Sequence, residues 1–123
     1  MGQALNIALL PGDGIGPEVT DVAEAVLNLL IQRYQLPLGY TRFDWPSHAW
    51  HQAPGEMMPG DGVAQLREFD AMLLGALGDP GPLEDPSRFV LSDSVSLAPL
   101  LALRKQLDLW ACERPAHWLP GAP

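Results

Sequence analysis

Apolar and polar positions alternate in three distinct rhythms along this chain, and each rhythm predicts a different kind of element. Leu5-Asn6-Ile7-Ala8-Leu9-Leu10 is short and almost wholly apolar, the pattern of a strand buried on both faces rather than one. From Pro17 the spacing becomes helical, with Val19, Val22, Ala23, Val26, Leu29 and Leu30 recurring at three and four residues. Pro17 suits the first turn, and Glu18 and Asp21 sit near the positive end of the helix dipole. Gly39 to Trp45 has the β-branched and aromatic content of a second strand, which Pro46 stops. Val63, Leu66 and Phe69 predict a short helix over Asp61 to Phe69 that feeds a third strand, Asp70 to Ala76. Asp79 to Ser96, dense in Pro, Asp, Ser and Gly, reads as a long loop. Leu97, Leu100, Leu101 and Leu107 then define a face of a further helix, with Pro99 either in its first turn or breaking it. An extended run from Leu109 to Pro115 follows. This order of strands and helices predicts an α/β fold: a parallel or mixed open sheet with helices on both faces.

Composition narrows the partners. A chain of 123 residues makes at most one domain, so residues 1–123 are read as a single unit. Fifteen acidic residues against seven Lys and Arg give a net charge of −8, which argues against a nucleic-acid partner or an anionic membrane surface. Small anions remain possible ligands because they answer to local cations. One cysteine, Cys112, excludes an internal disulfide framework and a cysteine-based zinc cluster. The first apolar stretch has no preceding Lys or Arg and is cut short by Pro11-Gly12-Asp13-Gly14, so a soluble, cytoplasmic protein is expected.

Two segments carry candidate chemistry. Pro11-Gly12-Asp13-Gly14-Ile15-Gly16-Pro17-Glu18 joins the first strand to the first helix through three glycines, which puts bare backbone and a helix N-terminus where a ligand can approach. It is not a dinucleotide G-x-G-x-x-G fingerprint: the third glycine is replaced by Pro17, although Asp44 stands where a ribose-binding acid would be expected after a second strand. The second segment is Leu103-Arg104-Lys105-Gln106-Leu107-Asp108-Leu109-Trp110-Ala111-Cys112-Glu113-Arg114-Pro115. Its two guanidinium groups suit two-point binding of carboxylates, or else pair with neighbours such as Asp108 and Glu113 on a solvated face. His48 and His51 are spaced for a helical turn but have no third metal ligand of fixed geometry, Glu56 lying beyond Pro54-Gly55, so they read as loop surface. The four tryptophans, 45, 50, 110 and 118, read as core or interface filler.

Taken together, the Pro-Gly-Asp-Gly-Ile-Gly-Pro-Glu turn, the later Leu74-Gly75-Ala76-Leu77-Gly78-Asp79-Pro80 and the Leu-Arg-Lys-x-Leu-Asp-Leu-aromatic run ending in Arg-Pro resemble the β-decarboxylating dehydrogenases. Phe43-Asp44-Trp45, Met57-Met58-Pro59 and Phe69-Asp70-Ala71 look most like the tartrate/D-malate branch, with isopropylmalate enzymes next. The resemblance runs from Leu5 to the C-terminus and corresponds to the N-terminal portion of a family member. It implies an isopropylmalate dehydrogenase-like fold, present in part, and a reaction that moves a hydride from a small 2-hydroxy diacid to NAD and then releases CO2, assisted by Mg or Mn. Arg104 and Arg114 match the family arginines that clamp the departing carboxylate, and Leu97, Leu100 and Leu101 match the residues that read the substituent at C3. Nothing polar is offered there to a γ-carboxylate, which disfavours isocitrate. Gly14, Ile15, Leu77, Gly78 and Asp79 match the surroundings of the cofactor. Glu113 departs from the family, where an apolar residue usually precedes the second arginine. The resemblance further implies that the catalytic lysine and the metal-binding aspartates lie outside this sequence, so no catalytic or metal-ligating residue is assigned within it. Family members are typically homodimers. The expected function is therefore that of a decarboxylating dehydrogenase, with this short chain itself inactive; the alternative is a non-catalytic α/β small-molecule-binding or interaction module derived from the same scaffold.

Overall fold

The computed structural model describes residues 4–78 and 91–121. Three strands, β1 (Leu5–Gly12), β2 (Leu38–Arg42) and β3 (Ala71–Ala76), form one sheet in the order β2-β1-β3. Both pairings are parallel, with Leu9 opposite Arg42 on one side and Leu73 on the other. The sheet is therefore parallel throughout the described strands. As the apolar run predicts, the centre of β1 is buried on both faces, Ala8, Leu9 and Leu10 being wholly inaccessible.

Helix α1 (Gly16–Tyr34) covers the face of the sheet to which Leu9 and Leu73 belong, lying on β1 and β3. The opposite face holds the larger core. There Ala8 and Leu10 meet Trp45, Val63, Leu66 and Leu103, with Met72, Leu74, Phe43 and Phe69 packed around them. Val63 and Leu66 come from α3 (Gly62–Leu66), and Leu103 from α5 (Ala98–Gln106). Burying side chains such as Leu9, Leu10 and Leu66 stabilises the fold by about 1.5–3 kcal/mol each. The two remaining helices, α2 (His48–His51) and α4 (Asp93–Ser96), are single turns.

The first helix forms where its spacing predicts, but it buries a different stripe. Gly16 and Thr20 are buried and Ala23, Leu27 and Ile31 half-buried, whereas Val19, Val22, Val26, Leu29 and Leu30 are exposed. Small side chains explain the choice: a Cβ on Gly16 would stand 2.0 Å from the Pro11 carbonyl oxygen, and one on Gly75 would stand 2.8 Å from Thr20 Oγ1. At such close range only the stripe that begins with Gly16 and Thr20 can lie on the sheet.

Other boundaries shift for local reasons. β2 ends at Arg42, because Phe43 and Trp45 turn inward, their rings 4.7 Å apart and Phe43 edge-on to Phe69 at 5.6 Å. The third helix is shorter than the predicted Asp61–Phe69, and Ser92 begins a short turn inside the segment read as loop. Pro99 occupies the first turn of α5. That helix buries Pro99 and Leu103, leaving Leu97 and Leu101 exposed, so the predicted leucine face is turned only in part toward the core. Trp45 is core as expected and Trp50 packs beside it, but Trp110 and Trp118 are almost fully exposed.

Candidate functional site

The chain leaves β1 through Gly12 at φ +77° and Gly14 at φ +57°, conformations that side chains other than glycine rarely adopt. Between them Asp13 acts as a knot. Its N–H donates to the Ala76 carbonyl at 2.7 Å, its own carbonyl accepts from the Gly16 N–H at 2.8 Å, and its Oδ1 accepts from the His48 N–H at 2.6 Å. One residue thus ties the end of β3, the start of α1 and the turn after β2 to the glycine loop. Asp13 is buried and its Oδ2 has no hydrogen-bond partner, a cost normally met by a donor. The sequence signal for this role is the single side chain lying between two glycines.

The strand order places the reversal of winding direction between β1 and β3, where open parallel sheets commonly bind ligands beyond the carboxyl ends of their strands. The residues matched by resemblance to the cofactor's surroundings follow the carboxyl ends of these two strands. Ile15, the residue before α1, is 68% exposed, and no side chain caps the first turn of that helix. Just past β3, Leu77 Cδ2 would lie 3.3 Å from a Cβ built on Gly12, and Gly78 at φ +95° has open space where a side chain would be. Gly14 is exposed at the lip of the loop. Asp79 lies outside the described residues.

A cleft of about 640 Å³ opens on the β2 side of this loop, between Gly12, Asp13 and Gly14 on one wall and Asp44, Ser47 and His48 on the other. Ser47 Oγ accepts from the Trp50 N–H at 3.1 Å and donates to the Asp44 carbonyl at 2.7 Å, which fixes the second wall. Arg42 also borders the cleft, but it is held by Asp21 and Glu24 at 2.7 Å each. Those contacts, Glu24 foremost, push its guanidinium above the usual arginine range.

Arg104 is elsewhere. It lines a second cleft, of about 330 Å³, bounded by Met72 and Leu74 of β3, Leu100 and Leu103 of α5, and the extended Leu109–Cys112 run. Leu100 and Arg104, one helical turn apart, share that cleft, whereas Leu97 and Leu101 do not line it. Arg114 is exposed farther along the same extended run. Among the described residues the ion pairs are those of Arg42, so pairing of Arg104 and Arg114 with Asp108 and Glu113 is not observed there. The glycine loop and Arg104 border separate clefts. His48 and His51 lie on the single turn α2, and no group of three His, Cys, Asp or Glu able to hold a metal ion occurs among the described residues. No helix among them is long and apolar enough to cross a membrane.

Comparison with known proteins bears on this geometry. Over 124 aligned positions the whole chain is 35% identical to the decarboxylating D-malate dehydrogenase of Escherichia coli K12, covering 32% of that enzyme. It is 39% identical, over 95% of its length, to 3-isopropylmalate dehydrogenase of Saccharopolyspora erythraea, of which it covers 30%. A solved structure of a β-decarboxylating dehydrogenase from Thermococcus kodakarensis, in its apo form, superposes with a TM-score of 0.55 at 29% identity, across 85% of this chain and 27% of that one. The chain therefore spans about a third of the length of the relatives it matches. Residues 6–122 match the model of the isocitrate/isopropylmalate dehydrogenases, and the chain belongs to that family.

Proposed function

We propose that this chain is the glycine-loop portion of an NAD- and Mg- or Mn-dependent decarboxylating dehydrogenase for a small 2-hydroxy diacid, of the D-malate or tartrate type ahead of isopropylmalate. The observation that carries the reading is the switch point between β1 and β3, where Gly14 and Ile15 follow the carboxyl end of one strand and Leu77 and Gly78 that of the other. An exposed apolar side chain beside bare glycine backbone suits a flat ring, so these residues fit NAD. When bound, NAD supplies the acceptor for the substrate hydride. Ile15 would shield that face of the ring from water, and the uncapped first turn of α1 would favour negative charge nearby. Arg104 and Arg114 would hold a substrate carboxylate in one pose, and Leu100, in the same cleft as Arg104, would contact the substituent at C3. The described residues hold no group of three His, Cys, Asp or Glu able to bind a metal ion, so they do not by themselves fit Mg or Mn.

Purified 123-residue protein given D-malate, NAD and Mn should form no NADH above the blank, and steady turnover would overturn this account of the missing chemistry. A second reading, a non-catalytic binding module on the same scaffold, draws support from the separation of the glycine-loop cleft from the one that holds Arg104. Calorimetry with NAD and malate separates the two: saturable binding without turnover favours the module, and no binding favours the enzyme portion. A complete family member would be a homodimer by the same resemblance, and cytoplasmic.

A further inference from the structure

The two walls of the Arg104 cleft are nearly continuous in the chain. Leu100, Leu103 and Arg104 come from α5 and Leu109 to Cys112 from the extended run, so the corner Gln106-Leu107-Asp108 between them sets how the walls stand to one another. That corner closes the helix. The Leu107 N–H returns to the Leu103 carbonyl at 3.0 Å and the Leu109 N–H to the Arg104 carbonyl at 2.9 Å, across Asp108 at φ +55°. The last carbonyls of a helix still need donors from outside it.

For Gln106 that donor is Arg67. Its Nη2 donates to the Gln106 carbonyl at 2.5 Å, from 39 residues away in the sequence. The bond is reinforced twice over, because the donor is charged and the carbonyl end of a helix is the negative end of its dipole. Arg67 also stands on a firm base. It is the residue that ends α3, its own N–H bonds to the Val63 carbonyl at 3.1 Å, and Val63 and Leu66 share the buried core with Leu103. One guanidinium thus ties the corner of the cleft to the core, two residues beyond Arg104.

We propose that Arg67 is a positioning residue for Arg104: by holding the Gln106 carbonyl it fixes the corner of the cleft, and with it the direction in which Arg104 meets a small carboxylate there. The proposal rests on the reading of Arg104 as a holder of carboxylate and gives Arg67 no contact with that ligand.

Cys112 makes the geometry measurable, since it is the single cysteine of the chain, is exposed and lines the same cleft as Arg104. Its thiolate attacks one sulfur of an aromatic disulfide, the reagent's S–S bond breaks, a mixed disulfide forms and an aromatic thiolate leaves. The test compares dithiobis(nitrobenzoate), which carries two carboxylates, with uncharged dithiodipyridine on the purified 123-residue chain at physiological salt. Both rates share the ionisation and exposure of the thiol, so their ratio reads the cation beside it, which a loss of stability alone does not move.

Arg104→Gln should lower the anionic-to-neutral ratio on the order of fivefold, the effect of one charge about 4 Å from another in water. Arg67→Gln should lower it roughly threefold with Arg104 intact, and Arg67→Lys, which keeps a cation at the helix end, should hold it within about 1.5-fold of wild type. Lys105→Gln removes a charge that lies on the same helix outside the cleft and should change the ratio by less than about 1.5-fold. A ratio unmoved by Arg67→Gln, or lowered as far by Lys105→Gln, overturns the proposal and leaves the role of Arg104 standing. A ratio unmoved by Arg104→Gln overturns both. Arg67 is exposed, so Arg67→Gln should keep its helical circular dichroism. Loss of that signal would make Arg67 a residue that holds the fold and not the cleft, and would likewise overturn the proposal.

Discussion

Gly75→Ala isolates the tight junction that sets the glycine loop. Gly75 has no positive φ, so the substitution adds volume without forcing the backbone into a conformation alanine avoids. The added Cβ would stand 2.4 Å from the Pro11 carbonyl oxygen, 2.8 Å from Thr20 Oγ1 and 2.9 Å from the Gly16 carbonyl oxygen. Two of the three are backbone atoms, and the shortest contact falls about 1 Å inside ordinary packing distance. Either α1 lifts from the sheet or β3 moves from β1, and either movement strains the hydrogen bond from the Asp13 N–H to the Ala76 carbonyl. Overpacking of this kind costs about 1–3 kcal/mol and sometimes more, and the rigidity of both neighbours puts the expected loss at about 3 kcal/mol. A protein of this length has a total stability of about 6–18 kcal/mol, so the loss is large but survivable. Urea denaturation followed by far-UV circular dichroism reads it as a lower midpoint at unchanged slope. Gly60→Ala is the control: its Cβ would meet nothing within 4 Å, and the change should be neutral or stabilising by up to about 1 kcal/mol. A Gly75→Ala protein within about 0.5 kcal/mol of wild type would refute the account of how strand, loop and helix meet.

Gln35 ends α1 at φ +50°, and the following Leu36 N–H bonds back to the Ile31 carbonyl. Gln35→Gly should therefore raise the urea midpoint by an amount equivalent to about 0.5–1 kcal/mol, and a lower midpoint would contradict that assignment of strain. Arg42→Gln should cost less than about 1 kcal/mol, and the difference should vanish in roughly 1 M salt, because the pairs with Asp21 and Glu24 are at the surface. Arg42 is a base held above its ordinary range, so its contribution is complete at lower pH and is lost only when pH rises through that range, far into alkali. A urea midpoint that differs between wild type and Arg42→Gln by an amount changing across neutral pH would count against this sign.

The binding residues expected by resemblance fall into two groups when placed in space. Gly14 and Ile15 follow the carboxyl end of β1 and Leu77 and Gly78 that of β3, and these ends are neighbours because the two strands are adjacent and parallel and the loop is tied across them by Asp13. Leu100 and Arg104 share a cleft because they are one helical turn apart, a relation that sequence spacing alone supplies. Leu97 and Leu101 were legible as apolar but not as to direction. Pro99 and Leu103 took the buried side of α5, and no periodicity distinguishes a leucine turned inward from one turned outward on so short a helix. Asp13 was hidden for a different reason. Its role is made of three hydrogen bonds to segments distant in the chain, and its immediate neighbours announce only a turn.

By itself the sequence determined the succession of the three strands with α1, α3 and α5, though not the single turns α2 and α4, since the former depend on local spacing, on proline and glycine, and on residues within a few positions of one another. Only the tertiary structure decided which side of that helix is buried. Its apolar arc is wider than the face it buries, and the close approach permitted by Gly16, Thr20 and Gly75 selected the stripe that begins with small residues for the sheet while leaving Val19, Val22, Val26, Leu29 and Leu30 exposed. Periodicity measures how much of a helix is apolar, whereas burial depends on how near another backbone can come.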